Sequence, residues 1–190
     1  MPLTGNLDSS LLRLGPANVY FDSKHLGYMG DALAVTIETT VTPLLGVQAG
    51  TSPLDKVVTG GRVHVAIPIR EISLARVASG VLNANLVTGV TSGERLDIKN
   101  RVGLSARSLA KELRIIRLIG SGAGFGESTD PKDIIVIPLA SPAESAVNLP
   151  FNLNQQEVVV TFEAWPNDVS GRWAYIGTET VDGSPLDETP

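Results

Sequence analysis

Few residues in this 190-residue chain have both the type and the spacing to do chemistry, and the most conspicuous are glycines. Gly120, Gly122, Gly124 and Gly126 form a GxGxGxG run. Closely spaced glycines can present backbone N–H groups to a phosphate. A phosphate loop, however, spaces them as GxGxxG, or as GxxxxGK before Ser or Thr, and leads into a helix N-terminus. Here Pro131 and the run IIVI at 134–137 follow, so the stretch reads as a hairpin turn. The two histidines are His25, in a turn, and His64, on the outward register of a strand. No serine lies in a GxSxG elbow, and nothing in the spacing points to Ser–His–Asp chemistry. There is no HExxH or DxDxDG loop, and Asp130 and Asp133 flank Pro131-Lys132. Cysteine is absent, which removes disulfides, thiolate nucleophiles and cysteine-ligated zinc. A glycosidase-type carboxylate pair can be drawn anywhere from 20 acidic residues, and spacing selects none of them. Aromatic residues are 5% of the chain, too few for a base-stacking platform, so Trp165 and Trp173 read as core or rim residues. No catalytic, cofactor-binding or metal residue is assigned, and no cofactor is expected.

The elements around these residues are better defined. In residues 61–84, GRVHVAIPIREISLARVASGVLNA, a strand runs almost directly into a helix. Val63, Val65, Ile67 and Ile69 alternate with His64, Ala66, Pro68 and Arg70, the period of a half-buried strand. Leu74, Val77, Ala78, Val81 and Leu82 then form a helical stripe. The spacing predicts one helix over about 71–84 with Leu74, Val77 and Val81 in the core. Glu71 is expected in its first turn, and Gly80 should weaken it by about 1 kcal/mol relative to alanine. Further strands are expected at 17–21, 33–42, from about 111 to 119, 132–139 (ended by Pro138), 156–165 and 173–178. A mobile arm at 1–14, a polar connection at 85–101, a flexible glycine loop at 120–130 and a flexible acidic tail at 179–190 complete the expectation. The fold class is mainly β: a two-sheet sandwich or split barrel with one flanking helix, forming one domain over 15–178.

One connection does not fit a solvated loop. Residues 43–59, PLLGVQAGTSPLDKVVT, contain Gly46, Gly50 and Pro53, yet are apolar at Leu44, Leu45, Val47 and Leu54. A long, greasy loop is unusual unless something covers it. Leu44, Leu45, Val47, Leu54 and Asp55 are the candidate inter-subunit contact.

Hydrophobic residues make up 43% of the chain, enough for a sizeable core, and no run of about 18 apolar residues marks a membrane span. The N-terminus lacks the pattern of a signal peptide, and the missing cysteines fit a reducing cytoplasm. Net charge is −5, unevenly spread. Residues 1–55 hold 2 basic and 5 acidic groups, 56–117 hold 11 and 4, and 118–190 hold 2 and 11. The basic middle fits nucleic acid, neutralisation by the chain's own ends, or contact between oppositely charged faces of identical copies.

The collinear set LGPANVYFDS (14–23), GTSPLDKVVTG (50–60), VHVAIPI followed by Glu71, AKELRIIRL (110–118), DIIVIPLASP (133–142) and QEVVVTFEAW (156–165) resembles the major tail tube proteins of long-tailed, non-contractile bacteriophages. The resemblance covers roughly residues 14–178. The turn WPNDVSGRW departs from it, being less acidic than in many relatives. It implies a sandwich or split barrel, hexameric rings that stack into a virion tail tube, assembly in the host cytoplasm, and passage of duplex DNA without specific binding or catalysis. Implied partners are other copies of the chain and the tape measure, terminator and distal tail proteins, with no membrane. A head-to-tail connector, a secretion-system tube protein of the same fold, and a carbohydrate-binding or hydrolytic β-sandwich stay open as alternatives.

Overall fold

The computed structural model describes residues 16–27, 29, 32–45, 53–90, 92–121, 124–143, 147 and 157–178. The chain is mainly β. In order it forms β1 (Ala17–Phe21), β2 (Lys24–His25), β3 (Ala34–Leu45), β4 (Pro53–Ile69), α1 (Leu74–Ser79), β5 (Ala84–Thr88) and β6 (Glu94–Ile98). After a 3-10 turn at Ala106–Leu109 come β7 (Lys111–Ser121), β8 (Gly124–Glu127), β9 (Ile134–Pro142), β10 (Val158–Ala164) and β11 (Tyr175–Ile176). Nine strands form one sheet whose main path is β2-β1-β7-β9-β10-β4-β3, with β8 beside β7 and β11 beside β9; β5 and β6 form a separate pair. Every pairing is antiparallel.

The large sheet curls until its two halves face each other, which makes it a split sandwich. Phe21 on β1 and Phe162 on β10 are separated along the sheet by β7 and β9, yet their rings lie 4.8 Å apart. Met29, just after β2, bridges back to Ile69 at the end of β4. Alternation supplies the interior: Val63, Val65, Ile67 and Ile69 from β4 meet Val158, Val160 and Phe162 from β10, Leu113 and Ile115 from β7, and Val19 from β1. Buried Ser141 is paired, as burial favours: its Oγ accepts from the indole N–H of Trp165 at 2.8 Å, whereas His25 Nε2 is buried without a hydrogen-bond partner among the described residues. The β1–β2 turn is tight. Asp22 and Ser23 have φ of 50° and 62°, the backbone of a type I′ hairpin, here without glycine.

Several expectations need correction. The helix covers six residues, not 71–84. Ser73 Oγ accepts from the Arg76 N–H and caps it at Leu74, while Glu71 lies before it and pairs with Arg76 at 2.7 Å. At the other end a Cβ on Gly80 would sit 2.6 Å from Val160, so the helix stops where its backbone touches the sheet. Val77 is buried, Leu74 is 40% exposed, and Val81 is half-buried beyond the helix. Fewer than two turns cannot complete a stripe of seven-residue reach. Residues 43–59 are mostly strand, not loop: β3 and β4 continue through them to Leu45 and from Pro53. The connection 85–101 holds the β5–β6 hairpin, and part of the glycine loop is β8, paired with β7. Pro138 does not end its strand. It falls at the register shift where Lys111 pairs with Ala140 and Leu113 with Ile137, a bulge that needs no ladder N–H. The last strand is only Tyr175–Ile176. The predicted arm 1–14 and tail 179–190 lie outside the described residues. Among the described residues, no helix is long and apolar enough to cross a membrane.

Candidate assembly surface

The β3–β4 hairpin has two ends of different character. Near the body Val35 pairs with Val65, and both pack on the core. Past Ile37↔Val63 the ribbon is exposed on both faces, over 36–44 and 55–60. The core-facing register continues outward through Ile37, Val41 and Val58, with Ile37 68% and Val58 65% exposed. Leu44 and Val57 are also exposed. At the junction Thr40 pairs with Gly60 and Val41 with Val58. Thr59 is therefore an extra residue, and its hydroxyl donates to the Thr40 carbonyl at 3.4 Å. This is a β-bulge, which bends and twists the ribbon as it leaves the body.

β3 is also the terminal strand of the sheet. Its sequence AVTIETTVTPLL has one charged residue, Glu38, and no lysine. Long edges without such protection accept another strand. A groove of about 570 Å³ runs between this ribbon and Trp173-Ala174, lined by Ile37, Val58 and Val63 with Glu38 and Arg62 at its side.

Part of the charge is paired within the chain. Arg70 pairs with Glu157 at 3.4 Å, Arg117 with Asp133 at 3.3 Å, and Arg107 with Asp168. In each pair an arginine of the basic middle meets an acid of the last third. On the outer surface Glu127 of β8 accepts from Asn18 Nδ2 at 2.7 Å and from the Tyr20 hydroxyl, tying β8 to β1. The bonds from Asn18 and Tyr20 hold the Glu127 carboxyl below its usual range, and the bond to Glu127 raises Tyr20.

The sequence-predicted contact residues fall on this arm. Leu44 pairs with Asp55 and Leu45 with Pro53; Leu54 lies in β4. Asp55 is exposed and accepts from the Lys56 N–H at 2.6 Å. Val47 lies outside the described residues. The sequence does not mark Ile37, Val41, Val57 and Val58 as contacts: 33–42 reads as a strand with Ile37 on the same face as Leu33 and Val35, and 57–59 reads as loop. The signal was present: β-branched residues at 36–42 and 57–59 flank a glycine-bearing turn, the pattern of a hairpin. Nor does the sequence reveal the Asn18–Tyr20–Glu127 cluster, in which Glu127 lies more than 100 positions from the other two. Neither a family model nor a curated protein matches the chain.

Proposed function

We propose that this chain is the repeating subunit of a virion tail tube, closing into rings that stack into a conduit for DNA. One observation carries the reading: a two-stranded arm exposed on both faces, with Ile37, Val41 and Val58 along the register that is core in the body, and β3 as a long edge strand with a single charge. An isolated two-stranded ribbon is marginal in water. A neighbouring copy supplies both a cover for Ile37, Val41 and Val58 and hydrogen-bond partners for β3. Such a contact is heterologous: it closes into a ring around a rotation axis, while stacking stays open. Burying these three aliphatic side chains contributes on the order of 4–9 kcal/mol before ordering costs. The resemblance of the segment order to tail tube proteins supplies the ring number, the passage of DNA without specific binding, and the tape measure, terminator and distal tail proteins as partners.

The test is particle size and shape. The purified chain should give rings or filaments in negative stain. Replacing residues 45–54 by a short glycine–serine link should leave the circular dichroism spectrum unchanged and block tube growth. Wild-type chain that stays small and monodisperse at high concentration would overturn the proposal in favour of a binding module. Tubes of normal length from the shortened chain would show that the arm tip is not the joint.

A further inference from the structure

The chain has two Trp, three Tyr and four Phe, yet three of these aromatics share one outward face of the sheet. Directly opposed residues of an antiparallel pair point the same way. The registers set one row across five strands: His25 beside Tyr20, Tyr20 beside Arg114, Arg114 beside Val136, and Val136 beside Tyr175. Their strand neighbours Val19, Phe21, Leu113 and Ile137 are core, so the row faces out. Phe125, opposite Gly120, and Glu127, opposite Leu118, continue the same face along β8, and Phe125 is 72% exposed. Arg114 and Glu112 form a ridge between two hollows. One, of about 270 Å³, is bounded by Tyr20, Ile116 and Glu127; the other, of about 320 Å³, by Ile134, Val136 and Tyr175. Each hollow thus combines a tyrosine, an aliphatic floor and the two shared charges. Arg114 and Glu112 are exposed, and neither side chain makes a hydrogen bond or ion pair among the described residues. Glu127 is held in place, because Asn18 and Tyr20 both donate to its Oε1, which leaves Oε2 to accept from a ligand.

We infer that this face binds a neutral, linear oligosaccharide laid across the Arg114 ridge, with a pyranose in each hollow. A sugar ring has an apolar C–H face and a rim of hydroxyls. The tyrosines and the aliphatic floors meet the first. The guanidinium and the carboxylates donate to and accept from the second through directional, charge-assisted bonds. Tyr20 and Tyr175 stand three strand spacings apart, about 14 Å, which is the length of a short saccharide rather than of one sugar. Charge selects the class. Glu112 and Glu127 against one guanidinium repel a phosphate backbone or an acidic glycan, which a basic surface would be needed to hold. Arg114 at the centre opposes a cationic peptide in the same way. A neutral polyol meets neither obstacle and uses both signs of charge. None of these residues lies on the β3–β4 arm, so the site stands whether or not subunits assemble.

The probes are cellotetraose, maltotetraose, mannotetraose and chitotetraose, each titrated into the full chain by calorimetry and by saturation-transfer NMR. At least one should bind with millimolar or tighter affinity and take up saturation at its ring C–H protons. Arg114→Ala and Tyr175→Ala should each weaken that binding about tenfold, the loss of one good polar or stacking contact. Arg114 is exposed, so its variant keeps the fold and the result reads the site alone. Three results overturn the inference: no tetrasaccharide binds at millimolar concentration; a tetrasaccharide binds and Arg114→Ala leaves its affinity unchanged, which puts the sugar elsewhere; or an oligothymidylate or a lysine-rich peptide binds in place of all the sugars and is lost in Arg114→Ala, which makes the face a site for a charged polymer.

Discussion

Val65 and Val58 stand on the same strand, seven positions apart, yet one has no exposed surface and the other is 65% exposed. Both belong to the register that faces the core in the body of the sheet. What separates them is the strand on the other side of β4. Val65 meets β10 through Phe162, whereas no described strand flanks the arm beyond β3 and β4. A hydrophobic strand face is therefore not evidence of a core; it is evidence of a required partner. In the body the partner is the same chain, and along the arm we assign it to another copy.

The sharpest way to test this contrast is to place the same charge at both positions. Val65→Asp buries an unpaired carboxylate and should abolish the cooperative unfolding transition, a loss of at least several kcal/mol. Val58→Asp should change chemical-denaturation stability by no more than about 0.5 kcal/mol, while rings and filaments disappear from negative stain. Equal stability losses in the two variants would erase the distinction. A smaller effect sharpens the body side. Gly80→Ala improves helix propensity, but its Cβ would stand 2.6–2.7 Å from the two Val160 methyls. Overpacking should win, lowering stability by about 1–3 kcal/mol; a gain in melting temperature would show that α1 rides loosely on the sheet. The smallest effect concerns Glu127, which is exposed. Its folded-state carboxyl is held low by Asn18 and Tyr20. The stability it contributes is therefore present above the unfolded pKa of about 4.3 and lost as pH falls through the lower folded value. Glu127→Gln should cost under about 1 kcal/mol at neutral pH. The difference from wild type should vanish in acid; a gap that persisted there would mean the amide disturbs packing rather than charge.

The sequence announced the strands that are core on one face. Val63 to Ile69 alternates cleanly, 17–21 was placed to the residue, and β7 starts at Lys111 as expected. It was misleading where tertiary contact overrides local pattern. The stripe Leu74, Val77, Val81 asks for a long helix, but Gly80 against Val160 and the Ser73 cap leave six residues. Pro138 asks for a strand end, but a bulge absorbs it. Residues 43–59 look like a loop because proline and glycine punctuate them, and because a strand exposed on both faces has no polar side to alternate with. The proposed contact residues Leu44 and Asp55 lie in a stretch that reads as greasy sequence without a core. Their pairing across a hairpin, and the addition of Ile37, Val41 and Val58, required the fold.

The bulge at Thr59 gives the arm the mechanics of a cantilever. Because β3 and β4 stay paired out to Leu45 and Pro53, with register shifts only between Thr40 and Val41 and between Leu44 and Leu45, the described part of the arm has no linker to absorb error. The five residue steps from Thr40 to Leu45 extend about 17 Å beyond the bulge. A change of about 10° in the local twist there moves the tip by about 3 Å, roughly the rise of one residue along a strand. Between strands that pair by register, such a displacement is a full step. In the proposed assembly, a substitution at Thr59 or Gly60 would thus leave each subunit sound and put every neighbour out of true, and the fault would be visible only in the pitch of the filament.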